Sequence, residues 1–444
     1  MPARIIGMIG VTPPASDATL HVIEGGLSPR YLVEFARAHD EAGFDLALVG
    51  YSSSSAEGFV IALHAAANTK RLGYLIAHRP GFVAPTLMAR KIATFDHLTG
   101  GRLAVHIITG KTDDEQQGDG DFSPKGERYL RAAEYLELMQ LTWSSERPFD
   151  FSGQFYRVKG AASDIRPLQE PHPLLFFGGA SPGALAMGAR WCDVYAIYAE
   201  PLASTRERMA QFRAQAAEFG RVPGFNISVR PIIAATEGGA WDKANRILAA
   251  MTGKKGWSRQ EEATGPVDNA GKRLMSFALE KDVHDERLWM PIARATGALG
   301  NTSCLVGTPE QVAEAILKYY RLGAASFLIR GFDPLNDAVE FGRELIPRIK
   351  AGAIEIDREY ALPAASTKQT LSSRGRNAHS RTCSRWPDAR ALRDVLGCSV
   401  QRRPELDVKP HPHHRSLSAR RHHRPDCTPH STAPANGAEN PGCD

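Results

Sequence analysis

The stretch PTLMARKIATFDHLTGGRLAVHIITG, residues 85–110, holds one repeat of the architecture. Pro85 stands near a helix N-terminus, where its missing N–H is not needed, and Gly100-Gly101 marks the stop, because glycine readily takes the left-handed turn that ends a helix. Residues 102–110 then run apolar and rich in β-branched side chains, which suits a strand buried on both faces. That run halts at His106, Thr109 and Gly110, and an acidic stretch follows before helical spacing resumes over 127–143. The polar ending of a buried strand raises the question of what lies above it.

The same unit recurs outward in both directions. Apolar runs at 4–11, 45–50, 71–80, 102–110, 174–181, 193–201, 225–236 and 326–332 read as strands, each followed by a segment of helical spacing. Eight such units predict a parallel sheet covered by helices, and eight is the number that closes a (β/α)8 TIM barrel. A doubly wound sheet could use the same elements, but no G-x-G-x-x-G follows the first strand, and the barrel is the expected fold. Two insertions interrupt it. Residues 149–161 alternate around a Ser-Gly turn and predict a hairpin. The polar stretch 253–287 is too long for an ordinary connection and reads as a lid, with Lys254, Lys255 and Lys272 placed to meet an anion.

Charge divides the chain. Residues 362–444 carry 14 Lys+Arg against 7 Asp+Glu, with seven of the 15 histidines and four of the 6 cysteines. Residues 1–361 are close to neutral and form the expected barrel domain. The tail lacks apolar periodicity and reads as a disordered basic segment, or as GC-rich DNA translated in a shifted frame. Nucleic-acid binding through its arginines is the non-enzyme alternative, and no metal site is assigned to it. No apolar run approaches membrane-spanning length, and Cys192 and Cys304 stand apart in apolar settings. Both features suit a protein of the reducing cytoplasm.

In a barrel, the loops at the C-terminal ends of the strands surround one mouth. Here they bring Ser55, Arg79, His106, Tyr198, Arg230 and Arg330 to that mouth. The sharpest local feature is FFGGASPGALAMGA, where Gly178 and Gly179 permit close backbone approach and Ser181 caps the helix at Pro182. Free N–H groups at such a turn suit a phosphate.

These residues resemble the flavin-dependent monooxygenases of the bacterial luciferase-like superfamily, nearest to the alkanesulfonate monooxygenases. The segments carrying the resemblance are RPGFVAPTLMARKIATFDHLTGGRLAVHIITG, GDGDFSPKGERYLRAAEYLELMQLTW, FDFSGQFYRVKGA, PLLFFGGASPGALAMGARWCDVYAIYAEP and LVGTPEQVAEAILKYYRLGAASFLIRGFDPLNDAVEFGRELIPRI, covering about residues 4–350. The resemblance implies a luciferase-like barrel that takes FMNH2 from a separate NAD(P)H-dependent reductase and uses O2 to cleave the C–S bond of an alkanesulfonate. The products would be an aldehyde and sulfite, and the protein a homodimer or tetramer acting in sulfur metabolism. It places His106, Thr109 and Gly110 beside the flavin ring, and Tyr129 with Gly179, Ala180 and Ser181 at its phosphate.

The substrate end departs from the family. Asparagine is common where His106 stands. Ser55 replaces a cysteine, Arg230 a histidine, Ser228 an arginine, Tyr198 a tryptophan and Phe332 a tyrosine associated with proton transfer. The expected catalytic set is therefore Arg230, Tyr198, Ser55 and His106, with Arg79, Arg230 and Arg330 clamping the anion. Tyr51 or Tyr198 would take over the proton role. Sulfones or other heteroatom compounds as substrate, and an F420-dependent oxidoreductase of the same superfamily, are the alternatives within enzymes.

Overall fold

The computed structural model describes residues 3–14, 16, 18–20, 22–23, 25–110, 112–252, 268–298 and 300–361. The basic tail and the lysines at 254 and 255 lie outside them. Eight parallel strands close on themselves: β1 (Arg4–Met8), β2 (Leu46–Val49), β3 (Gly73–His78), β4 (Leu103–Ile107), β7 (Leu175–Gly178), β8 (Val194–Tyr198), β9 (Gly224–Ile233) and β13 (Ser326–Ile329). The closing seam joins β8 to β9, with Val194 opposite Gly224 and Tyr198 opposite Ser228. The barrel expected from eight strand–helix units is the fold observed.

Strand alternation explains two of the three buried apolar clusters among the described residues. Ile6, Leu46, Leu75, Ala104, Phe176 and Val194 point inward and fill the barrel floor. Their neighbours Ile5, Tyr74, Val105, Phe177 and Tyr195 point outward, fully buried beneath the helices. The helix ends follow the local chemistry. Ser28 caps α1 (Pro29–Glu41), and α3 (Pro85–Thr99) opens on proline and ends on left-handed Gly100. The two cysteines among the described residues, Cys192 and Cys304, are buried and unpaired.

The predicted hairpin is present as β5 (Phe149–Ser152) and β6 (Arg157–Ala161), and the Glu134 carboxylate receives three of its turn's main-chain N–H groups, from Gln154, Phe155 and Tyr156. Other elements lie outside the eight-unit reading. A short acidic helix, α4 (Asp113–Gly118), precedes α5 (Lys125–Ser144). The second half of β9 leaves the barrel and pairs with β12 (Cys304–Gly307), which carries β11 (Leu288–Trp289) and β10 (Val283–His284) antiparallel beside it. The polar stretch holds a helix, α9 (Asn269–Glu280), whose Leu274 and Ala278 are buried and whose Lys272 is exposed.

Candidate functional site

Continuing the inward alternation toward the strand ends gives the lining of the mouth. Above the apolar floor stand Met8, Leu48, Ala77, His106, Gly178, Tyr198, Ser228 and Arg330. Met8 is opposite Leu48, Ala77 opposite His106 and Tyr198 opposite Ser228. The steps from Leu48 to Ala77, His106 to Gly178, Gly178 to Tyr198 and Ser228 to Arg330 each climb two residues, as the stagger of a closed barrel requires. Four of the expected polar positions, His106, Tyr198, Ser228 and Arg330, thus share one layer. His106 Nδ1 is enclosed and has no hydrogen-bond partner, and burial alone pushes the ring's pKa down to about 4. The ring is therefore neutral at physiological pH. Gly178 keeps the space beside it open, since a Cβ there would stand 3.5 Å from His106 Nε2.

The glycine turn sits on the rim. Gly179 has φ of 126°, a conformation L side chains rarely adopt. Ser181 caps α6 (Pro182–Trp191) by accepting from Ala184 N at 3.3 Å. Tyr129, on the first turns of α5, lies across this turn. A Cβ on Gly183 would meet its ring at 3.0 Å, and one on Gly179 would come within 3.8 Å of its hydroxyl. Tyr129, Gly179, Ala180 and Ser181 are thus brought together as expected. Arg128, which sequence reasoning passed over although it precedes Tyr129, ties the neighbouring strand end into place. Its Nε donates to Thr109 O at 3.0 Å and its Nη1 to Asp113 and to Ser123 O, both at 2.8 Å. Gly110, with φ of 85°, packs beneath Gln116 of α4, which would collide with any side chain at 110.

The three arginines separate into different environments. Arg79 is 3% exposed and already neutralised: it pairs with Glu115 and with Asp119 at 3.3 Å, donates to Ser53 Oγ at 3.0 Å, and lies 4.3 Å over the Tyr51 ring. The Tyr51 hydroxyl also donates to Asp119. Ser55 belongs to the same rim but spends its hydroxyl on the local turn, donating to Ser52 O at 2.9 Å.

Arg230 is 1% exposed and gives its N–H groups to main-chain carbonyls: Asn301 and Gly331, both at 2.7 Å, Leu20 at 3.1 Å and Thr19 at 3.5 Å. Phe332 is buried against it, 4.7 Å from ring centre to guanidinium. Burial, with Arg330 nearby, holds the Arg230 pKa well below its usual value. Arg330 differs from both. Its Nη1 reaches Met8 Sδ at 3.0 Å, its Nε is enclosed without a partner, and no carboxylate pairs with it among the described residues. Tyr198 is close enough to bear on its charge, and burial pushes the Tyr198 hydroxyl up to about 12.

Among the described residues no cluster of histidine, cysteine and carboxylate could hold a metal ion, and no helix is long and apolar enough to cross a membrane.

The same barrel occurs in riboflavin lyase (RcaE), solved with a modified FMN and riboflavin. That chain is 18% identical, with a TM-score of 0.62 over 83% of this chain and 94% of its own. EDTA monooxygenase (EmoA) from Chelativorans sp. BNC1 is 19% identical, with a TM-score of 0.63 over 79% of this chain and 94% of its own. DmoA from Hyphomicrobium sulfonivorans is likewise 19% identical, with a TM-score of 0.62 over 79% and 88%. These likenesses establish the shared fold. The family model for luciferase-like monooxygenases matches residues 8–326, from the last residue of the first barrel strand to the first of the eighth, and the chain belongs to that family.

Proposed function

We propose that this protein is an FMNH2-dependent monooxygenase that cleaves the C–S bond of alkanesulfonates with O2, drawing its reduced flavin from a separate NAD(P)H-dependent reductase. The observation that carries the anionic substrate is Arg330, a cation on the barrel lining whose Nε has no acceptor and whose Nη1 rests on a thioether. A buried guanidinium without an anion is costly, and a sulfonate oxygen would satisfy it by charge-assisted hydrogen bonding.

The flavin reading rests on fit. Tyr129 packs on the glycine at 183, where a Cβ would stand 3.0 Å from its ring, and this close approach sets its hydroxyl beside the Gly179 turn. His106 Nδ1 is enclosed without a hydrogen-bond partner, an unmet bond of the kind a flavin edge against the ring would supply. In this reading Tyr129, Gly179, Ala180 and Ser181 hold the phosphate, while His106, Thr109 and Gly110 lie beside the ring. Reduced FMN supplies the two electrons that activate O2. The chain's own residues orient the sulfonate, exclude water and manage protons. Tyr198, protonated at neutral pH, is the donor available in the mouth layer, since Phe332 has no proton to give. Overall, one alkanesulfonate, O2 and FMNH2 yield aldehyde, sulfite, water and FMN.

The test is sulfite release across sulfonates from methanesulfonate to decanesulfonate, with an FMN reductase supplied. Arg330→Met should lower kcat/KM for the best substrate by about tenfold to a hundredfold while flavin affinity holds. Absence of sulfite from every sulfonate, with oxygen uptake on a neutral sulfone, would move the substrate class. Hydride exchange with F420 in the absence of oxygen uptake would replace the flavin reading altogether.

A further inference from the structure

The glycine turn is held from behind by a relay outside the mouth. Tyr195 is one residue out of phase with Ala196 and Tyr198, so its ring leaves the barrel interior. It stacks on Phe177 at 4.7 Å and leans on Phe212 at 4.6 Å. From that outer layer its hydroxyl donates to the Gly179 main-chain oxygen at 2.7 Å. Arg208, on α7 (Leu202–Ala217), donates to the same hydroxyl through Nε at 2.9 Å and Nη2 at 2.5 Å. A phenol has one proton and two acceptor sites. With both acceptor sites filled by the guanidinium fork, the proton is committed to Gly179.

Arg208 is fixed in turn. Its Nη1 donates to Glu200 Oε1 at 2.6 Å, and Glu200 is 1% exposed. Arg273 of α9 reaches both Glu200 oxygens at 2.8 Å. Tyr319 donates to the Glu200 main-chain oxygen at 2.7 Å. Two guanidinium groups share one carboxylate, so the cluster carries surplus positive charge behind the turn.

We propose that Tyr195 and Arg208 are positioning residues that aim the Ala180 N–H at the flavin phosphate, making the turn selective for a phosphorylated flavin. The peptide between Gly179 and Ala180 is planar, with its C=O and N–H on opposite sides. Glycine at 179 leaves that peptide free to rotate as a unit. Anchoring its oxygen in the outer layer therefore turns the N–H the other way, out of that layer. The surplus charge adds a favourable field for an anion at the same place. The inference rests on the flavin reading above and adds the device that reads the phosphate.

The relay can be cut without emptying the core. A cavity of about 300 Å³, lined in part by Ala180, Arg208, Asn269 and Arg273, lets water reach its outer side. Tyr195→Phe keeps the aromatic stack and leaves the Gly179 oxygen to water, and Arg208→Met cuts the relay one step earlier.

The experiment is anaerobic titration of the full chain with reduced FMN and reduced riboflavin, comparing wild type with each variant. Both variants should weaken FMN about tenfold and shift riboflavin by less than about twofold. An unchanged FMN-to-riboflavin ratio, including equal loss of both, overturns the proposal. If one variant fails to fold, the other reads the same ratio. Wild-type protein that binds neither flavin, or both equally, overturns the flavin or phosphate reading itself, which separates that failure from failure of the relay.

Discussion

His106 shows how burial sets chemistry at a single residue. A histidine at a strand end invites a role in proton transfer near neutrality, but enclosure brings its pKa down to about 4. His106→Asn should therefore leave the pH–rate profile above pH 6 unchanged, and a lost or shifted limb there would show that the ring titrates during turnover. Two further buried rings, His39 at about 4 and His78 at about 3, are lowered chiefly by the same desolvation. Their folded values lie below the unfolded value of about 6.5, so the unfolded chain binds protons first as pH falls. Stability is accordingly full above pH 6.5 and declines toward pH 4. The window lies above that in which the Asp40 and Asp121 carboxylates, held low by hydrogen bonds despite desolvation, become protonated. The urea midpoint should drop clearly between pH 7 and pH 5, and an equal midpoint at both would contradict the neutral rings. Residue type was legible in the sequence here, but protonation state was not, because it depends on what encloses the ring.

At the scale of elements, the eight strands were legible because alternation and Gly or Pro punctuation are local signals. Residues 304–321 escaped that reading, although Thr308 and Gln311 form a capping box at the start of the helix Pro309–Arg321. Its preceding strand is only four residues long and pairs outside the barrel, beyond the reach of a strand-by-strand count. The arginines were indistinguishable for a related reason. Arg79, Arg230 and Arg330 all end barrel strands, and only distant chain segments decide their roles: Glu115 of α4 and Asp119 at its C-terminal cap for Arg79, carbonyls of residues 19, 20, 301 and 331 for Arg230. Arg230 thereby staples the loop after β1, the approach to β12 and the turn after β13. A lysine cannot span those carbonyls with its single ammonium. Arg230→Lys should cost on the order of 2–4 kcal/mol in urea unfolding, through carbonyls left unsatisfied in the core. Unchanged stability with a raised substrate KM would instead make Arg230 a direct ligand.

For the whole molecule, the question is how much chain the barrel needs. Its last strand ends at Ile329, and the outer layer is completed by helices at Pro334–Glu344 and Ile346–Ala361. The final helix is part of the core: Ile349, Ala353 and Ile356 are buried. Lys350 Nζ donates to Gly43 O and pairs with Asp45, each at 2.9 Å, tying this helix to the segment that enters β2. Tyr320 donates to Asp357 at 2.7 Å, so structural contacts run to within a turn of Ala361. Beyond that point the sequence turns basic and loses apolar periodicity, and we propose that residues 362–444 are dispensable to the barrel. Ending the chain after Ala361 should leave the urea midpoint and reduced-FMN affinity within error of the full chain. It should also abolish salt-sensitive retention on heparin, since the remaining residues are near neutral. Ending it after Arg348 should instead cost several kcal/mol, on the order of 2 for each large buried side chain removed. A first truncation as damaging as the second would give residues 362–444 a part in the fold.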